Sequence, residues 1–215
     1  MTPCIFCEIS DGTAGPLPEN LPFAQNRVAY AKPALGSFVE GYSLIIAHEH
    51  VRSFSRMSPE NLEAVDVFKN DVSNALMELY GCRVLVFEHG CGSSWNQRAG
   101  ACIDHAHLHL IPIAVDIRDQ LSQHFIPTSI SRLSELPHIA NGGAYLYLED
   151  HHGSTLYPID DSLPSQYIRQ LVSRGAGCPR LWDWREHPLR EAITEFRHKI
   201  AAVHRSTSPT SVARV

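Results

Sequence analysis

The run His105-Ala106-His107-Leu108-His109-Leu110 carries the strongest chemical signal in the chain. Three imidazoles alternate with small or branched apolar residues, which is the period of a half-buried β-strand. All three rings then leave one face, while Ala106, Leu108 and Leu110 enter a core. Rings two residues apart on such a strand start about 6.6 Å from one another. An imidazole nitrogen can attack phosphorus, move a proton near neutral pH, or ligate a metal. Packing alone does not ask for three adjacent imidazoles. On these residues, two readings stand open: nucleophilic catalysis by one ring, or a catalytic metal ion held by His105, His107 and His109 together.

A second signal is Cys4-Ile5-Phe6-Cys7, whose spacing suits half of a tetrahedral zinc site or a redox pair. Soft thiolates combined with imidazole favour Zn²⁺. His48 and His50, just beyond the apolar run Leu44-Ile45-Ile46, are both available to complete such a site. The chain has six cysteines in 215 residues. A chain of this size does not need disulfide staples, so thiols or metal ligands are expected. Of the 13 histidines, His124, His138, His187, His198 and His204 have no partner pattern and read as surface or capping residues.

The elements that must position these groups follow from periodicity. Phe23–Ala31 and Tyr42–Ala47 read as strands. Ser58-Pro59 opens a long helix, with Ser as N-cap and Pro at the first helical position. Leu62, Val65, Phe68, Val72, Leu76 and Leu79 recur at helical spacing, and Gly81 ends the helix. Arg83–Phe87 is a β-rich run, Glu88–Gly100 a polar loop, and Cys102–Ile111 the histidine strand, paired antiparallel with the run before the loop. Beyond Pro112, the stretch Val115–Asn141 reads as irregular and Ala144–Leu148 as a strand. Leu163–Arg174 is a short helix stopped by Gly175, and Pro188–His204 a last helix with Leu189, Ile193, Phe196 and Ile200 on one face. Leu181-Trp182-Asp183-Trp184-Arg185 reads as packing for this second half, and the tail 206–215 as disordered. The expectation is an α+β protein with a core over 1–115 and a C-terminal α/β extension over 116–215 packed on it.

Composition sets the outer limits. At 44% hydrophobic and 19% charged, the chain has the make-up of a globular protein. A net charge of −5 gives no long-range attraction for nucleic acid or an anionic membrane. No apolar stretch reaches the length of a membrane span, and Met1-Thr2-Pro3-Cys4 lacks a charged n-region and an h-region. A cytoplasmic location is therefore expected.

Taken in order, Cys4-Ile5-Phe6-Cys7-Glu8-Ile9, Gly41-Tyr42-Ser43-Leu44-Ile45-Ile46-Ala47-His48-Glu49-His50-Val51 and the His105–Leu110 run resemble the histidine-triad (HIT) superfamily of nucleotide hydrolases and nucleotidyl transferases. The resemblance covers about the first half of the chain. It implies an antiparallel sheet with one long helix, a small-molecule nucleotide substrate, and a homodimer. It also implies that His107 is the nucleophile toward the α-phosphate, forming a covalent nucleotidyl-histidine, with His109 holding phosphate oxygens or orienting the leaving group. The resemblance to zinc-bearing members assigns a structural zinc to Cys4, Cys7, His50 and His105, with His48 as the rival of His50. It places Ile5, Phe6 and Ile9 on the wall of a base pocket.

The sequence departs from the family pattern twice. Lys32-Pro33-Ala34 stands where a ribose-binding carboxylate is usual, with no acid between Glu19 and Glu40. Gly100-Ala101-Cys102 lacks the phosphate donors usual before the first His. Substitute donors are sought in Ser94 and Asn96, beside Ser93 and Arg98 in the preceding loop, and in Gln166 and Arg169 on the short C-terminal helix. The expected function is hydrolysis of a nucleotide conjugate at its α-phosphate. Nucleotidyl transfer, metal-dependent hydrolysis and nucleotide binding without turnover are the alternatives.

Overall fold

A computed structural model of the chain describes residues 4–93, 100–101, 103–159 and 163–207. Eight strands form one antiparallel sheet: β1 (Ala24–Gln25), β2 (Ala29–Pro33), β3 (Ser43–Ala47), β4 (Val84–Gly90), β5 (His107–Pro112), β6 (Thr128–Ile130), β7 (Ala144–Asp150) and β8 (Gly153–Ile159). Their spatial order is β1-β2-β3-β5-β4-β7-β8-β6, with every pairing antiparallel. The expected α+β architecture is the one observed. The predicted boundary at residue 115 follows β5 in the chain, and the sheet runs on past it because β4 pairs with β7.

Strand alternation divides the core into two layers. One face presents Ala31, Ile45, Leu108, Val86 and Tyr147, covered by α2 (Pro59–Tyr80) and α6 (Arg190–Thr207). Helix α2 starts as its sequence dictates: Ser58 Oγ accepts from Asn61 N at 3.3 Å and Pro59 follows. It ends at Gly81, whose φ of 65° lets its N–H reach Met77 O. Leu62, Val65, Phe68, Val72 and Leu76 are buried beneath it, each contributing about 1.5–3 kcal/mol relative to exposure.

The opposite face presents Leu44, Ile46, Phe87, Leu146 and Leu148. Helices α1 (Ile5–Ser10), α3 (Arg118–Ser122) and α5 (Tyr167–Gly175) lie over it. A fourth short helix, α4 (Leu136–Ala140), borders the first layer.

Several predicted elements move. The single strand expected over Phe23–Ala31 is a hairpin of β1 and β2, because Asn26 Oδ1 accepts from Val28 N and Ala29 N, each at 2.9 Å, and turns the chain. Strand β4 runs on to Gly90 where a loop was expected from Glu88, and β5 begins at His107 rather than Cys102. The stretch expected to be irregular holds α3, β6, a 3₁₀ turn over Leu133–Glu135 and α4. Strand β8, unpredicted, is paired on both sides. Helix α5 starts at Tyr167 rather than Leu163, since Gln166 takes a left-handed φ of 59° that helix cannot continue through. Helix α6 starts at Arg190, after Leu189 at φ 48°, and includes residues 206–207 of the expected tail; 208–215 lie outside the described residues.

Candidate active site and metal centre

Cys4 caps α1 and Cys7 lies in its first turn, so the Cys-x-x-Cys spacing turns both thiols to one side of the helix start. His50 lies beyond the end of β3 and His105 just before β5. Two backbone bonds hold these segments together: Ala106 N to Val51 O at 2.6 Å and Ala47 N to Ala106 O at 3.2 Å. The four ligand atoms of Cys4, Cys7, His50 and His105 come within 4.8 Å of one another.

Tetrahedral zinc places two nitrogen ligands about 3.3 Å apart, and nitrogen and sulfur about 3.5 Å apart. The observed separations are 3.2 Å between the Nδ1 atoms of His50 and His105, 3.4 Å from Cys4 Sγ to His105 Nδ1, 3.7 Å from Cys7 Sγ to the same nitrogen, and 3.2 Å from Cys7 Sγ to His50 Nδ1. The donor set therefore fits a structural Zn²⁺. His105 Nε2 donates to Ala47 O at 2.8 Å, which fixes the tautomer with a free lone pair on Nδ1. His48 points elsewhere, to Ser10 Oγ at 2.8 Å and Asn26 O at 3.2 Å.

Two residues further along, the nitrogen assignments reverse. His107 Nδ1 lies 2.6 Å from the carbonyl oxygen of His105 and must donate to it. The lone pair is then on Nε2, in a ring that lines a cleft of about 870 Å³ including its mouth. Burial, aided by the charges of His105, Lys32 and Arg169, pulls the His107 pKa down to about 4, so the ring is neutral near pH 7. His109 is stacked on Phe87, centroids 4.4 Å apart, and Tyr42 OH lies 2.7 Å from its Nδ1. Burial also holds His109 well below the usual histidine range, with His107, His89 and Arg169 adding to the shift.

The three imidazoles of the strand do not share a ligand point. Among the described residues, donor atoms gather in two groups, the Cys₂His₂ set and an exposed one of Asp116, His151 and His152, and neither includes His107 or His109.

Ile5, Phe6 and Ile9 line the cleft with His107 and His109. Phe6 stands edge-on to both His105 and His107, at centroid distances of 5.6 and 5.4 Å. Gln166 and Arg169 also line it, and both are buried at 2% exposure rather than sitting on a solvated helix face. Arg169 donates to Trp182 O and Gly36 O, each at 2.8 Å, and its guanidinium lies over the rings of Phe38 and Tyr42. Gly36, at φ +70°, is needed there, because a Cβ would meet the backbone of Trp184 at 2.7 Å. Gln166 donates to Asp183 Oδ1 at 3.0 Å. Ser94 and Asn96, with Arg98, lie outside the described residues.

Sequence reasoning missed the three other ionisable residues that line the cleft, Lys32, Glu19 and His89. Lys32 is 4% exposed and donates to Pro33 O at 2.9 Å; burial lowers its pKa to about 8. Glu19 reaches the cleft from a 3₁₀ turn, with Oε1 paired to Arg190 at 2.7 Å and Oε2 buried without a partner among the described residues. His89 shares the cleft face of β4 with Phe87. The period of two from Phe87 would have found His89, had the strand been carried through Glu88.

No family model matches the chain, and no curated protein does. Solved structures similar to it include a HIT family protein from Bacillus anthracis, 23% identical, covering 52% of this chain and 73% of its own at a TM-score of 0.44. A HIT family member from Bacillus subtilis is 20% identical, covering 51% and 72% at 0.43. A Zn-bound histidine triad family protein from Mycobacterium smegmatis is 20% identical, covering 52% and 75% at 0.42.

Proposed function

We propose that this protein is a histidine-triad enzyme that cleaves a nucleotide conjugate at its α-phosphate through a nucleotidyl-His107 intermediate. One observation carries the reading: the bond from His107 Nδ1 to its own strand's carbonyl, which leaves the Nε2 lone pair on a cleft-lining ring held neutral by burial. In the first step, Nε2 bonds to phosphorus and the bond from phosphorus to the leaving-group oxygen breaks, its electrons departing with that oxygen. In the second, an acceptor oxygen bonds to phosphorus and the N–P bond breaks, returning the lone pair to Nε2; where the acceptor is water, its proton passes to solvent or to the departed oxygen. Water as acceptor makes the protein a hydrolase, and a phosphate acceptor makes it a transferase.

His109, fixed between Tyr42 and Phe87, meets the phosphate on the same face. Arg169 supplies fixed positive charge beside both rings, and such preorganised charge is the main source of rate in phosphoryl transfer. Ile5, Phe6 and Ile9 offer flat apolar contact for the base. Cys4, Cys7, His50 and His105 would hold zinc, which neutralises the thiolates and ties α1 to the start of β5. The ligand is a small nucleotide, and a second copy of the chain is the expected partner.

The test is intact-mass analysis after rapid quench of the protein mixed with p-nitrophenyl esters of AMP, GMP, CMP and UMP. An adduct of nucleoside-monophosphate mass, absent in His107→Ala, is expected. Turnover by His107→Ala at the wild-type rate would sink the proposal.

A further inference from the structure

Three imidazoles line the cleft, and one of them, His89, comes from another strand and has its proton fixed by the backbone of a helix. His89, 6% exposed, is opposite Leu146 in the β4–β7 register and lines the cleft near His109, at a centroid distance of 6.2 Å. Its Nε2 accepts from Ile168 N at 3.2 Å. Ile168 is the second residue of α5, so its N–H is one of the helix-start donors that have no acceptor within the helix. The N-cap residue Gln166 gives that donor nothing, because its carboxamide is engaged by Asp183 and the backbone of Trp184. The imidazole therefore caps the helix with Nε2 and carries its proton on Nδ1.

Among the described residues, no acceptor meets that Nδ1–H. Burial, with the charges of His107 and Arg169, drives the His89 pKa down to about 3, so the ring stays a neutral donor across the physiological range. Gly100 packs against the same ring, where a Cβ would sit 3.6 Å from Cδ2. The segment Gly100-Ala101-Cys102 has no hydroxyl or carboxamide side chain to offer a phosphate. The cleft-lining ring thus carries its proton on Nδ1 beside a stretch whose side chains offer no hydroxyl or carboxamide.

We propose that the Nδ1–H of His89 donates a hydrogen bond to a non-bridging oxygen of the phosphate attacked by His107, and that His89 is a further catalytic residue. This rests on the nucleotidyl-His107 reading above. The proton stays on Nδ1 throughout. The bond strengthens as charge gathers on the equatorial oxygens, and it needs no reorganisation because the helix has already set the ring.

Two substitutions separate capping from donation. In His89→Gln, the carboxamide oxygen can stand where Nε2 stood and accept from Ile168 N, while the donor at the Nδ1 position is lost. In His89→Asn, the amide NH₂ stands near the Nδ1 position and the cap is lost. Adduct formation from the p-nitrophenyl esters should fall about 100-fold in His89→Gln, with a Tm close to wild type. His89→Asn should keep adduct formation within about tenfold of wild type but melt lower.

A rate for His89→Gln within about threefold of wild type would overturn the assignment. So would an equal loss in both variants. Imidazole ¹H–¹⁵N spectra supply a readout independent of turnover. His89 should show the Nδ1–H tautomer from pH 5 to 8, and that signal should move on addition of inorganic phosphate or the four nucleoside 5′-monophosphates. A proton on Nε2, or a signal unmoved by all five probes, overturns the role. If wild type forms no adduct from any ester, the proposed function fails, and the spectra alone decide whether His89 meets phosphate.

Discussion

His105 and His107 are two residues apart, both buried and both edge-on to Phe6, yet the structure gives them opposite nitrogens. His105 spends Nε2–H on Ala47 O and turns Nδ1 to two thiols. His107, whose ring lines the cleft, spends Nδ1–H on His105 O and keeps its lone pair on Nε2. Ring identity, burial and strand face do not separate them. The backbone carbonyl that each ring meets does. Histidine chemistry in this strand is assigned by whichever nitrogen the main chain occupies, a choice made after the strand is paired.

The largest effect expected from breaking this division is at His107. His107→Ala should lower adduct formation by 10⁴-fold or more, on the order of loss seen when a nucleophile is deleted, while zinc measured by inductively coupled plasma mass spectrometry stays at the wild-type stoichiometry. Loss of both together would mean that the two ends of the strand are one site.

The converse change is Cys7→Ser. It should abolish bound zinc and lower Tm by on the order of 10 °C, as loss of a few kcal/mol does in a chain of this size. Adduct formation at saturating ester should persist below the new melting temperature. An unchanged Tm with zinc absent would remove the structural role.

A substitution touching neither end provides the contrast. Glu88, on the other face of β4 from His89, accepts from Phe54 N at 2.8 Å and Tyr145 OH at 2.5 Å. Burial outweighs these bonds and raises its pKa to about 7. The folded state thus prefers the protonated acid. Its contribution to stability is complete below the unfolded value near 4.5, declines as pH rises to about 7, and is flat above. In urea titrations, Glu88→Gln should gain about 2–3 kcal/mol on wild type between pH 4.5 and 8. Zinc content should not change. A constant difference across that range would show that Glu88 ionises normally.

The smallest perturbation is none at all. The same ¹H–¹⁵N spectra should assign the proton to Nε2 in His105 and to Nδ1 in His107. Matching tautomers would dissolve the distinction between the two residues.

Much of this was legible in the residues. The alternation over 105–110 placed the rings on one face, Ser58 and Gly81 bounded α2, and the Cys-x-x-Cys spacing suited half of a tetrahedral metal site, while the short helix α1 that carries it was not legible. What escaped depends on register and on turns whose geometry is set by distant contacts. His89 joins the cleft because pairing with β7 carries β4 past Phe87. Glu19 arrives on a 3₁₀ turn tied to α6 through Arg190, 171 positions away. His50 and His48 share one composition and one loop, and are separated by where Ser10 and Asn26 fall. Arg169 was legible as a candidate phosphate donor, but its burial was not, because its two carbonyl partners, Gly36 and Trp182, lie on separate loops.

Helix α1 has six residues, too few to persist without outside support. With its N-cap it bears two of the thiolate–imidazole donors and, between and after them, three apolar side chains that line the cleft. The floor on which a base would rest therefore hangs from sulfur. An oxidant that joined or capped Cys4 and Cys7 would leave the phosphorus chemistry intact and weaken the grip on the heterocycle, so damage at one end of the molecule would register as lost affinity at the other.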